Sequence, residues 1–155
     1  MNTTTYTENV HDIALNTFEV TCFMFPMDEW EIEEDELEYP DGHTRAIVGF
    51  DGAAKGGMVI NPNDALLTAI AANMLGIDEP SREEKEGALC EIANIICGNT
   101  VPLFAKDDKI CVIKPPRIAS IDENADALFM GMFHEKVNVL LDEGIVEISI
   151  YVEQD

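Results

Sequence analysis

From Val146 to Glu153 apolar and polar residues alternate without a break. Val146, Ile148, Ile150 and Val152 fall on one side, and Glu147, Ser149, Tyr151 and Glu153 on the other. Only an extended strand sends such residues to opposite faces, and a strand with one apolar face needs neighbours beside it and a layer packed on it. The rest of the chain supplies both. Ala46-Ile47-Val48-Gly49-Phe50 and Gly57-Met58-Val59-Ile60 read as two strands joined through a turn at Asp51-Gly52. Ile110-Cys111-Val112-Ile113, ahead of Pro115-Pro116, and the apolar runs at 128–133 and 137–141 read as further strands.

Helical spacing fills the gaps between them. Over residues 8–24, Val10, Ile13, Ala14, Thr17, Val20, Thr21 and Met24 share one side, and Pro26 provides a stop. Asn61-Pro62-Asn63-Asp64 offers caps for a helix with Leu66, Leu67, Ile70, Ala71 and Met74 on one side and Gly76 at its end. Ser81-Arg82-Glu83-Glu84 is a capping box, in which the serine caps free amides and Glu84 reaches back. The helix it opens runs to Gly98 or a little beyond. The order helix, two strands, two helices, several strands implies the α+β class: an antiparallel β-sheet with helices packed on it, in a single domain over residues 1–155.

Charge narrows the partners. With 31 acidic against 9 basic residues the net charge is −22. Phosphate backbones and anionic membrane surfaces both require clustered Lys and Arg, so neither a nucleic acid nor a membrane is an expected partner. The acidic stretch Asp28–Glu38 reads as a solvated loop or an edge strand, with a docking arm as the lesser alternative. No stretch reads as long enough to span a bilayer, and Met1–Glu8 lacks the basic and apolar parts of a signal peptide, so the expected location is cytoplasmic. Cys22, Cys90, Cys97 and Cys111 form no Cys-x-x-Cys pair and read as reduced thiols. His11, His43 and His134 have no ligand spacing among themselves or with the cysteines, so no metal site and no cofactor of the chain's own is expected.

The helix after Ser81 carries the candidate chemistry. At about 100° per residue, Leu89, Ile92, Ala93, Ile96 and Thr100 face the core, with Cys97 at the edge. Glu91 and Asn94, at i and i+3, become neighbours on the opposite side. Gly87, Ala88 and Gly98 are read as sharing that outward side, leaving room for another molecule to approach, with Ile95 as a contact rim. A Glu and an Asn on a polar helix face are most often only solvated. Here a mid-helix Asn and two glycines are poor helix formers, which sets this face apart.

Glu91-Ile92-Ala93-Asn94-Ile95-Ile96-Cys97-Gly98-Asn99 resembles the Glu-x-x-Asn helix of the CheC/CheX/FliY family of response-regulator phosphatases. The wider pattern agrees: an N-terminal helix, paired strands, an Asn-Pro-initiated helix, the motif helix, a Pro-Pro strand and a closing alternating strand. The CheX branch is the better match, because Glu8-Asn9-Val10-His11 and Asp12-Ile13-Ala14-Leu15 lack an Asn at the position a second site would need. The resemblance implies a phosphatase acting on a phosphorylated CheY-like response regulator. Glu91 would grip the receiver's active-site lysine, Asn94 would position water, and Gly87, Ala88, Ile95 and Gly98 would line the receiver contact. It also implies Mg²⁺ held by the receiver rather than by this chain, and a homodimer. The closing strand, with few devices against edge pairing, is the expected dimer contact, and coverage of that edge by the acidic segment within one subunit is the equal alternative. A CheX-like module that binds without hydrolysis, or a structural domain like those of flagellar switch proteins, is the alternative. A chain expected to end after its closing strand, with Glu91 and Asn94 both kept, favours the phosphatase. A second Glu-x-x-Asn, Glu135 to Asn138, is set aside, because in a strand i and i+3 point to opposite faces.

Overall fold

A computed structural model of the chain describes residues 6–153. In chain order the elements are α1 (Thr7–Cys22), β1 (Ala46–Gly52), β2 (Gly56–Pro62), α2 (Asp64–Leu75), α3 (Arg82–Thr100), β3 (Cys111–Ile113), β4 (Arg117–Ile118), α4 (Ala125–Leu128), β5 (Phe133–Leu141) and β6 (Gly144–Val152). The six strands form one antiparallel sheet in the order β3-β1-β2-β6-β5, with β4 also pairing β1. The α+β class and the helix-on-sheet arrangement stand as the alternation and spacing imply.

One face of the sheet carries α1, α2 and α3. Ala46, Val48 and Phe50 of β1, Met58 and Ile60 of β2, and Ile148 and Ile150 of β6 pack there against Phe18, Leu66, Ile70, Leu89 and Ile92. The helix ends follow local chemistry. The Asn63 side chain accepts from the Leu66 amide at 2.9 Å, and Gly76 closes α2 in the left-handed region at φ 67°. The Ser81 box is complete: the Glu84 amide donates to Ser81 Oγ at 3.2 Å, and the Ser81 amide donates to Glu84 Oε1 at 2.9 Å.

Several expectations are corrected. Helix α1 stops at Cys22 because Phe23 turns left-handed, ahead of Pro26, and its buried side runs through Val10, Ala14, Thr17, Phe18 and Cys22 while Val20 is exposed. The acidic segment forms two short 3-10 turns, Glu29–Glu31 and Glu34–Glu36, and no strand. The β1–β2 turn lies at 53–55, with Gly52 still in the strand. Of the run at 128–133 only Phe133 lies in a strand, as the first residue of β5: Asn124 caps the short helix α4, and Gly131 at φ 83° turns the chain ahead of β5. By length and composition Arg82–Phe104 is apolar enough to cross a membrane, against the expectation that no stretch is. Half of its most apolar window is buried in the core, and a core helix passes the same test.

The closing strand is also corrected. β6 lies between β2 and β5 with both edges paired, so it cannot join a second copy edge to edge. Its neighbour β5 is the edge strand, and residues after α1 cover one end of it. The Met27 amide donates to the Leu140 carbonyl at 3.0 Å, and the Asp142 amide to that of Phe25 at 3.3 Å.

The other face of the sheet is partly capped by residues 119–132. Phe129 stacks on Tyr151 at 4.8 Å and sits over Gly57, where any Cβ would collide with its ring. Arg45 donates to the carbonyls of Ser120 and Glu123 at 3.1 and 2.7 Å, and Arg117 makes a two-pronged pair with Glu123. Those hydrogen bonds from Arg117, joined by the Ser120 amide, hold the Glu123 carboxyl down at about 2 against an ordinary 4.5. A carboxyl with a depressed folded value contributes stability above its ordinary value and loses it as pH falls through the folded one. The Glu123→Gln variant is therefore expected to melt at a lower temperature than the parent at pH 7. That gap should close between about pH 4.5 and pH 2 when melting is followed by circular dichroism. A gap unchanged down to pH 2 would mean that the pair does not tie the cap to the sheet.

Candidate functional site

Helix α3 is clamped on three sides: α1 and α2 flank it, and β1 and β2 lie beneath. Leu89, Ile92, Ala93, Ile96, Cys97 and Thr100 are buried, as their spacing requires. The opposite arc carries an exposed Glu91 and a half-buried Asn94. One turn apart on a helix, the two side chains are neighbours on the same surface. No salt bridge engages Glu91 among the described residues. Its carboxylate is left for a cation from outside, while the packing beneath fixes the backbone that carries it.

The small residues divide. Gly87 is exposed, and a Cβ there would meet nothing within 4 Å, so the surface beside Glu91 is open. Ile95 is half-buried beside the pair. Ala88 is corrected: at 7% exposure it belongs to the core. A helix packed on one flat surface buries a narrow stripe, but one flanked by two helices buries a wider arc, which takes in Ala88. Gly98 is half-buried, and a Cβ there would come 3.9 Å from Ile113 Cδ1 of β3. Ile113 therefore borders the motif helix, a contact that no local signal announces because β3 follows α3 through an irregular connection.

The cysteines are poorly suited to nucleophilic chemistry. All four cysteines are free. Burial raises the Cys22 thiol to about 11 and the Cys97 thiol to about 12, and it also raises Cys90, so these thiols stay protonated and weakly nucleophilic at neutral pH. Among the described residues no group of three or more His, Cys, Asp or Glu is placed to hold a metal ion. The second Glu-x-x-Asn lies in β5. There Glu135 accepts from the Tyr6 amide at 2.6 Å, while Asn138 pairs with Glu147 of β6 in the strand register, so they do not form a second site.

The family profile described as "Chemotaxis phosphatase CheX" matches residues 44–127, more than half of the chain and all of α3. The chain belongs to the CheX family. The crystal structure of a CheX-CheY-BeF3-Mg²⁺ complex from Borrelia burgdorferi matches with 21% identity and a TM-score of 0.70, over 97% of this chain and 99% of that one. The chemotaxis protein CheX from Desulfovibrio desulfuricans matches with 14% identity and a TM-score of 0.73, over 94% and 97%. FliY from Thermotoga maritima matches with 14% identity and a TM-score of 0.56, over 94% of this chain and 84% of that one. At these identities the likeness to solved structures is one of fold, and the family assignment rests on the profile. No curated protein sequence matches the chain.

Proposed function

We propose that this CheX-family chain hydrolyses the phosphoaspartate of a CheY-like response regulator, with Glu91 docking on the receiver's lysine and Asn94 orienting the attacking water. The observation that carries the reading is the Glu91–Asn94 pair itself: neighbours on one helix surface, Glu91 exposed and Asn94 half-buried, on a helix held by packing on three sides. The Borrelia burgdorferi relative in complex with CheY supports a receiver as the partner.

The roles follow from charge. A phosphoaspartate is a reactive acyl phosphate, and its receiver supplies Mg²⁺ to the phosphoryl oxygens. What remains to be added is a water in line with the bond to be broken. Water attacks phosphorus, the bond from phosphorus to the aspartyl oxygen breaks, and the products are inorganic phosphate and the free aspartate. The proton released by water passes to the phosphate. A neutral amide can both donate to and accept from that water. A carboxylate aimed at the phosphoryl group would repel it, but it pairs well with a lysine ammonium. Neither residue has to act as a strong base. Repulsion between this acidic chain and the receiver's carboxylates is screened beyond about 8 Å at physiological salt, so docking depends on the local fit. The same reading includes a homodimer in the cytoplasm, with a contact other than β6.

The test is incubation with a phosphorylated receiver while loss of its phosphoryl group is followed. Accelerated loss in proportion to added chain is expected. Capture of the receiver without acceleration would instead identify a binding module. Glu91→Ala is expected to weaken the complex by roughly tenfold or more, as loss of a desolvated charge pair does. Its melting temperature should stay near the parent's, because Glu91 is exposed. Unfolding of that variant would contradict the placement of Glu91.

A further inference from the structure

On the sheet face opposite α1–α3, residues 123–126 and the strands beneath them enclose a cavity of about 310 Å³. Strand register fixes its floor. Asn61 of β2 lies opposite Glu147 of β6, and Val59 opposite Ser149. Across the other edge of β6, Ser149 lies opposite Lys136 of β5, and Tyr151 opposite His134. Side chains alternate along a strand, and Ile60, Ile148 and Ile150 pack in the helix-side core. Asn61, Glu147, Ser149 and Tyr151 therefore emerge together on the cavity side. Several of these polar side chains are out of water: Asn61 is 7% exposed, Ser149 5% and Tyr151 4%.

The donors around this cavity are spent inside the protein. The Tyr151 hydroxyl donates to Asp126 Oδ1 at 2.5 Å, with the His134 ring stacked on the phenol at 4.2 Å. Burial and that hydrogen bond raise the Tyr151 phenol well above its ordinary range, so it stays a donor. Arg45 donates to the carbonyls of Gly42, Ser120 and Glu123. Lys136 pairs with Glu147 at 3.5 Å. The exception is an acceptor: Asn61 Oδ1 is buried and accepts no hydrogen bond. Buried polar atoms are nearly all paired, so this one marks a missing partner, and the partner has to bring the donor. The cavity holds about ten times the volume of one water, which leaves room for more than a solvent molecule.

We infer that this cavity binds a small organic ammonium compound, whose N–H group donates to Asn61 Oδ1 and pairs with the Glu147 carboxylate. Directly opposite residues on neighbouring strands hold their Cβ atoms about 5 Å apart, so one ammonium reaches both acceptors. The Glu147 side chain is 28% exposed, and its one cation among the described residues is Lys136, itself half-exposed and able to turn to solvent. Val59 and Ala125 give apolar surface for a carbon chain. No three metal-ligating side chains converge among the described residues, which favours an organic cation over a metal ion. Glu91 and Asn94 emerge from the helix layer on the other side of the sheet, so the site stands apart from the phosphatase reading.

The probe is n-butylammonium chloride. Tetramethylammonium chloride is the control, an isomeric cation of equal charge with no N–H donor. In amide NMR spectra of the whole chain the Asn61 side-chain signal is expected to shift saturably with butylammonium, with a Kd on the order of 1 mM for so small a ligand. The melting temperature should climb with probe concentration. Tetramethylammonium should produce neither effect. Asn61→Leu gives up no hydrogen bond to Oδ1, so it should fold and raise the Kd for butylammonium, read from melting, by roughly tenfold or more. Glu147→Gln keeps the shape of a partly exposed side chain and should raise the Kd similarly, read at the Asn61 amide, which keeps the inference testable if Asn61→Leu does not fold. No saturable response, an equal response to the two cations, or an unchanged Kd in Glu147→Gln would overturn the site.

Discussion

Asn94→Ala is expected to lower the rate of receiver dephosphorylation on the order of a hundredfold or more, while the affinity for the receiver stays within a few-fold of the parent. The loss is confined to rate because the amide acts on the water and not on the docked protein. Asn94 is half-buried on α3, and the helix beneath it is held by core residues that the substitution leaves in place. Alanine is also the better helix former, so the melting temperature should hold or rise slightly. Single-turnover measurement at saturating chain separates the two quantities. Unchanged turnover in Asn94→Ala would remove this residue from the mechanism. Asn94→Asp is the sharper comparison: it keeps the shape but adds a negative charge toward the phosphoryl oxygens, and should be impaired as well.

Ile92→Asp is expected to unfold the domain. Ile92 has no solvent exposure and sits between the helices and the sheet, one position from Glu91. A carboxylate there has no cation to meet and no water to solvate it, which costs at least about 4 kcal/mol. Domains of this kind have a total stability of only about 5–15 kcal/mol. Ile92→Leu, which keeps the volume, should cost less than about 1.5 kcal/mol. Urea denaturation followed by far-UV circular dichroism compares the two. If Ile92→Asp folds normally while Glu91→Ala unfolds, the helix is rotated from the orientation described, and the exposed pair is not a site.

Much of this fold is legible in the order of residues. Ser81 and Glu84 announce the start of α3, and Asn63 and Gly76 bound α2, because each acts through hydrogen bonds or backbone angles within a few positions of itself. The phase of α3 follows from Leu89, Ile92, Ala93 and Ile96 alone, and with it the exposure of Glu91 and Asn94. The apolar run at 128–133 misleads, since a buried strand and a buried loop both demand apolar residues. What distinguishes them is Gly57, seventy residues away, which leaves space for Phe129 to sit against the sheet.

By itself the sequence determined the class of fold, the ends of the two central helices and the side of α3 on which Glu91 and Asn94 emerge. These depend on periodicity and on contacts between residues no more than four apart. Tertiary structure alone decided the remainder. It set β6 between β2 and β5 through pairings such as Gly57 with Tyr151. It buried Ala88 by closing two helices on a third, and it brought Ile113 beside Gly98. Each of these depends on which distant segments share a surface, and the pattern of any one segment is compatible with several such neighbours.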